Sequence, residues 1–164
     1  MGEEMDIVEK AKEFAIKAHG SQKYGEHPYS YHLEKVAGAA AAFTCDPIYQ
    51  AVAWLHDVLE DTDTNISSII NTFGPFIADT VHDLTDKPGK NRLEKHLNTY
   101  SKLRKNKIAK TIKLCDRLVN MQESVGKDIG KMYKKEYLQF KFAFYEPGEH
   151  KEIWNALDAT YKKL

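Results

Sequence analysis

Apolar side chains recur at intervals of three and four residues along most of the chain. In the first such stretch, Ile7, Ala11, Phe14 and Ala18 share one side of a helix that ends near Gly20. Similar periodicity returns in later segments, and no segment alternates apolar and polar residues as a half-buried strand does. The pattern predicts an all-α protein, a single helical bundle with about eight to ten helices.

Residues that cap or break helices indicate where these helices begin and end. Asp46 and Pro47 suit the N-cap and first turn of a third helix, which is predicted to continue through Asp61. Gly74 and Pro75 separate two shorter helices, and residues 86–90 form the clearest loop. Further helices are predicted at about 91–104, 106–124 and 129–145, and a last one after residue 148.

Four polar side chains interrupt the apolar end of the third helix, namely His56, Asp57, Glu60 and Asp61. Residues three and four apart share a helix face, so His56 should lie over Glu60, and Asp57 over Glu60 and Asp61. Buried carboxylates are normally paired or bound to a metal. An isolated His-Asp pair is usually a surface ion pair, but four such residues in one apolar helix favour a bound cation.

Two further polar residues stand out on apolar helices, His32 and Asp116. Taken alone, His32 would be a hydrogen-bonded core histidine, and Asp116 a carboxylate paired with Lys113 or Arg117. Together with the third helix, they supply two histidines and two aspartates from three helices. Such a mixture of imidazole and carboxylate suits a divalent cation such as manganese, iron, zinc or magnesium.

The composition narrows the classes of function. Lysine plus arginine and aspartate plus glutamate each number 24, so the net charge is zero and the basic footprint of a nucleic-acid-binding protein is absent. No apolar run is long enough to span a membrane, and the acidic N-terminus does not resemble a signal peptide. Cys45 and Cys115 are interpreted as small core residues. We expect a cytoplasmic protein that binds neither nucleic acid nor membrane.

The order His32, His56-Asp57, Asp116 resembles that of the HD-domain metal-dependent phosphohydrolases. The surrounding residues are similar to the hydrolase domain of RelA/SpoT-type alarmone enzymes over about 11–124, in the blocks 28–32, 55–62, 73–74, 84–86 and 113–121. With the helices of 129–162 completing the bundle, residues 1–164 are expected to form one HD-type domain. The chain thus resembles the stand-alone small alarmone hydrolases, including the metazoan SpoT homologues.

This resemblance implies a function and a set of site residues. It implies hydrolysis of guanosine 3′,5′-bis-polyphosphates (ppGpp and pppGpp) to GDP or GTP and pyrophosphate. One Mn²⁺ per chain would be held, with other divalent cations also able to bind, by His32, His56, Asp57 and Asp116. Glu60 and Asp61 would assist the attacking water, and Asn120 would contact the nucleotide.

The loop after the first helix departs from the family. The family usually has two adjacent basic residues there, whereas this chain reads Gln22-Lys23-Tyr24-Gly25. Lys23 is the expected phosphate contact, and Tyr24 is expected either to stack on the base or to cover the core. The remaining histidines do not fit the ligand pattern and are interpreted as surface or capping residues: His19, His27, His82, His96 and His150.

Two alternative functions stay open. An NADPH 2′-phosphatase, or another nucleotide phosphohydrolase of the same superfamily, would keep the metal and change the substrate. A regulatory or antitoxin-like HD protein would not need to be an enzyme, although such a protein would be expected to lose a ligand or the Glu-Asp pair. The expected partner is a small nucleotide, and a homodimer is compatible with the sequence.

Overall fold

The computed structural model describes residues 6–164, and helices dominate this part of the chain. The all-α prediction is confirmed, because ten helical segments, one of only four residues, account for the fold. Within residues 6–164, no helix is long and apolar enough to cross a bilayer. In chain order the elements are α1 (Ile7–His19), β1 (Lys23–Tyr24), β2 (His27–Pro28), α2 (Tyr29–Phe43), α3 (Pro47–Leu55), α4 (Val58–Asp61), α5 (Ile66–Phe73), α6 (Pro75–Leu84), α7 (Arg92–Leu103), α8 (Lys107–Ser124), α9 (Ile129–Phe144) and α10 (Lys151–Tyr161).

Helix α8 is the central element of the bundle. It contacts α2, α3, α6, α7, α9 and α10, and 11 of its 18 residues are buried, so it has no fully solvated face. Helices α1, α2 and α3 pack closely against one another on one side. One buried hydrophobic cluster includes side chains of Ala11, Leu33, Leu114 and Trp154, from the first, second, eighth and tenth helices. The assignment of residues 1–164 to a single domain stays a prediction.

The predicted capping residues hold their expected places. The Asp46 side chain accepts a hydrogen bond from the Ile48 amide, and Pro47 opens α3. Gly74 adopts a φ of +89° between α5 and α6, a conformation that residues with a Cβ rarely take, and Pro75 starts the second of these helices. The boundaries of these helices therefore follow from local backbone chemistry.

The loop after α1 contains a small hairpin that the apolar pattern did not predict. Strands β1 and β2 pair antiparallel, with Lys23 opposite Pro28 and Tyr24 opposite His27. Gly25, with a φ of +60°, makes the turn. Strands of two residues are too short for any alternation of polarity to be recognised.

The predicted continuity of the third helix through Asp61 is wrong. Helix α3 ends at Leu55, and Asp57, with φ −106° and ψ 1°, lies in the sparsely populated region between helix and strand. The Ala53 carbonyl, which would accept from the Asp57 amide in a continuous helix, instead accepts from His56 Nδ1 at 2.6 Å. The imidazole therefore takes a backbone acceptor, and the chain turns before α4.

Several predictions of burial are also wrong. Cys45 is exposed, whereas Cys115 is buried as expected. The histidines interpreted as surface or capping residues divide: His19 and His96 are buried because neighbouring helices cover them, whereas His150 is buried but holds the predicted capping place, as the N-cap residue of α10. Helical periodicity alone does not show such covering, since each of these residues lies near an element boundary or beside charged neighbours.

The central position of α8 leads to a prediction about stability. Leu114→Ala should lower the free energy of unfolding by about 2–5 kcal/mol, because its side chain is fully buried and truncation leaves a cavity. Leu97→Ala, the same substitution at a side chain that is 50% exposed, should change it by less than about 0.5 kcal/mol. Urea unfolding of both variants checks this, and equal losses would contradict the central role of α8.

Candidate metal centre

Four metal-capable side chains from three parts of the bundle come together at one point. His32 lies in the first turn of α2, His56 and Asp57 form the turn between α3 and α4, and Asp116 lies in the middle of α8. One potential ligand atom of each lies within 4.8 Å of the others. The side chains are those expected from the sequence, although the turn, and not a continuous helix, presents two of them.

The distances within this His–Asp cluster are those of direct contact. His32 Nε2 lies 2.9 Å from Asp116 Oδ1, and His56 Nε2 lies 3.0 Å from Asp57 Oδ2 and 3.3 Å from Asp116 Oδ1. Both imidazoles are buried, whereas the Asp57 and Asp116 side chains retain 18% and 14% exposure. The cluster is therefore closed on its histidine side and open to a ligand on its carboxylate side.

The arrangement of His56 fits a metal ligand. Its Nδ1 is placed to donate to the Ala53 carbonyl, which leaves the lone pair on Nε2 pointing at the cluster. This Nε2 is buried and makes no hydrogen bond of regular geometry, despite the nearby carboxylates. An orphaned imidazole nitrogen beside two carboxylates is the donor set that a divalent cation would complete.

The electrostatics of the cluster show strong coupling between acids and bases. Burial opposes the charged form of His56, but the Asp57 and Asp116 carboxylates outweigh it and raise the His56 pKa well above its usual value. Burial likewise opposes the charged form of Asp116, yet His32 and His56 hold its pKa well below the usual value. The site thus favours two carboxylates together with positive charge.

Two tyrosines from the hairpin region hold the carboxylates in place. Tyr29 donates to Asp57 Oδ2 at 2.5 Å, and burial, followed by the nearby Asp57, raises the pKa of its phenol. Tyr24 stacks on the His32 ring with centroids 4.6 Å apart and donates to Asn120 Oδ1 at 2.8 Å. Asn120 in turn donates to Asp116 Oδ1 at 3.2 Å. Each aspartate is therefore oriented by a second side chain.

Glu60 and Asp61 lie beside the cluster at the mouth of a cavity of about 310 Å³. Both residues are exposed, which differs from the predicted burial on an apolar helix. Although much of the Glu60 side chain is exposed, partial desolvation of its carboxyl group, together with the neighbouring Asp86 and Asp57 carboxylates, raises the pKa of Glu60. Asp61 accepts a hydrogen bond from Gln22 Nε2 at 3.2 Å, so the loop after α1 fixes its orientation.

Cations from α7 and α8 also line this cavity, and we call the part of the lining around them the basic wall. Arg117 is buried between the rings of Tyr133 and Phe140 and pairs with Glu136 at 3.1 Å, and Arg92 pairs with Glu136 at 2.6 Å. Lys113 has one carboxylate within 4 Å in the described structure, Asp116 Oδ2 at 3.8 Å. The cavity thus has an acidic wall and a basic wall, as a site for a cation and an anion together requires.

Of the three residues predicted to contact the substrate, only Asn120 is among the residues that line the cavity. Tyr24 is engaged with His32 and Asn120, whereas Lys23 is exposed on the hairpin and does not line the cavity. Their contacts with a substrate stay predictions. Sequence analysis missed Tyr29, whose position one turn before His32 on α2 was the available signal.

Sequence analysis also missed the side chains of the basic wall. They come from α7, α8 and α9, which lie next to one another only in the fold. These residues are Arg92, His96, Arg117 and Tyr133.

Comparison with protein families identifies the architecture around this cluster. A family model described as "HD domain" matches residues 11–139, most of the chain. The chain belongs to the HD-domain family. Membership implies dependence on a divalent metal, and the His–Asp cluster is the group of residues that fits one. The resemblance to this family is therefore confirmed.

Curated relatives lie among enzymes of guanosine polyphosphate metabolism. The chain is 34% identical to GTP pyrophosphokinase rsh of Brucella ovis over 71% of its length, but it spans only 16% of that protein. It is 30% identical to a guanosine-3′,5′-bis(diphosphate) 3′-pyrophosphohydrolase of Aquifex aeolicus, covering 96% of this chain and 26% of that one. With human guanosine-3′,5′-bis(diphosphate) 3′-pyrophosphohydrolase MESH1 it shares 29% identity, over 75% of this chain and 72% of the human protein.

A solved structure of a metazoan orthologue of SpoT has the same fold. The two superpose with a TM-score of 0.82 at 22% sequence identity, covering 99% of this chain and 97% of the other. Because the match extends over both chains, α9 and α10 belong to the shared fold and not to an unrelated extension.

The basic wall leads to a prediction about pH. Burial, together with the charges of Lys113, Arg92 and Arg117, lowers the pKa of His96 from 6.5 to about 4. Between these values the unfolded chain binds a proton that the folded chain does not, so stability should decrease as the pH falls from about 6.5 towards 4.

His96→Gln should reduce this loss of stability on acidification, as urea unfolding at pH 7 and pH 5 would show. The comparison with the parent chain removes the contribution of all other titratable groups. The same pH dependence in both proteins would show that His96 is protonated in the folded state.

Proposed function

We propose that this chain hydrolyses guanosine 3′,5′-bis-polyphosphates in a Mn²⁺-dependent reaction. Water attacks the phosphorus bound to the ribose 3′ oxygen, and the bond between that phosphorus and the 3′ oxygen breaks. The oxygen of the attacking water becomes part of the released pyrophosphate, and the ribose 3′ oxygen of GDP or GTP is the leaving group. The water loses a proton and the 3′ oxygen takes one up, so the reaction needs one group that removes a proton from water and one that supplies a proton.

One observation carries this proposal. Four ligand atoms of His32, His56, Asp57 and Asp116 lie within 4.8 Å of one another, and Glu60 and Asp61 line the same cavity without belonging to that cluster. A cluster built only for structure would have no need of two further acids at its open side. The Aquifex aeolicus and human relatives are guanosine-3′,5′-bis(diphosphate) 3′-pyrophosphohydrolases, which supports guanosine 3′,5′-bis(diphosphate) as the substrate.

The roles of the residues follow from their positions. His32, His56, Asp57 and Asp116 would hold the cation, which when bound acidifies a water molecule and neutralises charge on phosphoryl oxygens. Glu60 and Asp61, beside the cluster, would orient the water and transfer protons to and from it and the leaving oxygen. The hydrogen bond from Gln22 holds Asp61 in one rotamer for this task.

The anionic part of the substrate would meet the basic wall of the cavity. Arg92 and Arg117 share the carboxylate of Glu136, so much of their charge is already balanced. In the described structure, Lys113 forms an ion pair within 4 Å only with Asp116, which the cation would engage. Asn120, Lys23 and Tyr24 are the proposed contacts to the rest of the nucleotide, and Tyr24 would have to exchange its bond with Asn120 to make one.

The metal and the substrate can be tested in one assay. Metal-stripped protein supplied in turn with Mn²⁺, Mg²⁺, Zn²⁺ and Fe²⁺ should regain most activity with Mn²⁺. With Mn²⁺, it should release pyrophosphate from guanosine tetraphosphate faster than phosphate from NADPH or mononucleotides, as resolved by ion-exchange chromatography. Faster turnover of NADPH would instead establish the 2′-phosphatase, and no turnover at all would favour a regulatory protein.

The Asp116→Ala variant serves as the negative control in this assay. Removing one carboxylate from the cluster should lower turnover by several orders of magnitude, because it removes both a ligand and its balancing charge. Substantial turnover by this variant in the presence of a chelator would mean that the reaction takes place elsewhere.

The support that Tyr29 gives to Asp57 can be tested by measuring metal binding, without an activity assay. Tyr29→Phe removes the hydrogen bond to Asp57 and should weaken Mn²⁺ binding by about 10- to 100-fold, the usual effect of losing a partner of a ligand. Tyr31→Phe is the matched control, because its hydroxyl donates to Glu123, away from the cluster. Calorimetric titration with Mn²⁺ should separate the two variants, and equal affinities would exclude this role for Tyr29.

A further inference from the structure

Helices α7 and α9 form an exposed surface that adjoins the cavity of the proposed function and shares Arg92 and His96 with it. The two helices are held together by the Arg92–Glu136 pair and by edge-to-face contacts of the Tyr100 ring with Phe140 and Phe144. Between them runs a groove of about 450 Å³, lined by Asn91, Arg92, Leu93, His96, Met132, Lys135, Glu136 and Gln139. We refer to the two helices and this groove as the α7–α9 face.

Large apolar side chains stand out from this face into solvent. Phe142 is 92% exposed and Leu138 is 65% exposed, one turn apart on α9. Leu93 and Leu97, also one turn apart, are about half exposed on α7. Single exposed apolar residues are common, but four at helical spacing on two neighbouring helices indicate a surface that is covered by a partner.

The exposed charge on this face is positive, although the net charge of the whole chain is zero. The exposed charged residues of α7 and α9 are all cations: Arg92, Lys95, Lys131, Lys134 and Lys135. The two acidic residues of these helices, Glu94 and Glu136, are partly buried, and Glu136 is paired with two arginines. Lys131, Lys135, Leu138 and Phe142 follow one another along a single stripe of α9.

We propose that the α7–α9 face docks an acidic amphipathic helix of another protein. Apolar side chains of that helix would enter the groove beside Leu93 and cover Leu138 and Phe142, and its carboxylates would meet the lysines. A two-fold contact with a second copy through this face is disfavoured, because it would set lysines against lysines. A concave groove between two helices also suits an inserted side chain better than a flat lipid surface.

The test uses the full chain and a defined probe. The probe is a fluorescent synthetic peptide with leucine and phenylalanine on one helical face and glutamate on the other, compared with the same peptide carrying lysine for every glutamate. Fluorescence anisotropy should show binding of the glutamate peptide alone, and the binding should weaken with added salt. Hydrogen exchange should place the protection on α7 and α9.

Two variants of the face and two matched controls define the surface. Leu138→Ser with Phe142→Ser, and separately Lys131→Glu with Lys134→Glu and Lys135→Glu, should each weaken binding by roughly tenfold or more. The controls lie at exposed residues elsewhere: the single change Phe76→Ser, matched to Phe142→Ser of the first variant, and Lys151→Glu, Lys162→Glu and Lys163→Glu, matched to the three changes of the second. All these positions are exposed, so the variants should fold normally, as thermal unfolding would show.

Three results would overturn the proposal. They are equal binding of the two peptides, unchanged binding by the variants of the face, and binding of phosphatidylserine vesicles that depends on Phe142 when the glutamate peptide does not bind. The last result would make the face a membrane-binding surface. None of these measurements depends on the proposed hydrolysis, so they test the surface separately.

Discussion

The structure depends on bringing two aspartates into contact inside a helical bundle. Asp57 and Asp116 share a buried cluster with His32 and His56, and like charges at such separations in a low-dielectric interior repel strongly. Positive charge within the cluster must balance them, whether from a protonated imidazole or from a metal ion. The backbone serves this constraint, because the chain leaves the α-helical path at His56 and Asp57 so that both side chains face α8.

Hydrogen bonds and a ring contact connect the cluster to helices α1 and α2. Tyr29 connects Asp57 to the start of α2, and its ring stacks on the buried His19 of α1. His19 also bonds Gln22, which in turn holds Asp61. A shift of the loop after α1 would therefore reach both the cluster and the acid beside it. These contacts connect the hairpin region to the cluster, although residues 23–28 contribute no side chain to the buried core.

Residues with a strong local signal were predicted from the sequence, and residues placed by tertiary packing were not. His32, the His56-Asp57 pair and Asp116 were recognisable because each is a polar residue in an apolar helix, and the caps at Asp46 and Gly74 follow from backbone chemistry. The break after Leu55 was not predicted, because it accompanies a hydrogen bond between the His56 imidazole and the Ala53 carbonyl. In a continuous helix this carbonyl would accept from the Asp57 amide, and helix propensity does not show the difference. The burial of His96 and His150 depends on helices distant in sequence, and periodicity contains no information about them.

The loop after α1 contributes no cation to the lining of the cavity in residues 6–164. Its Gln22 donates the side-chain amide to Asp61, and the side-chain oxygen of Gln22 lies 2.8 Å from His19 Nδ1. Positive charge around the cavity therefore comes from other elements. With Lys23 exposed on the hairpin, the cations that line the cavity come from α7 and α8, and two of them, Arg92 and Arg117, share the carboxylate of Glu136. An anion that enters the cavity would therefore meet its positive charge on α7 and α8 and not on the hairpin.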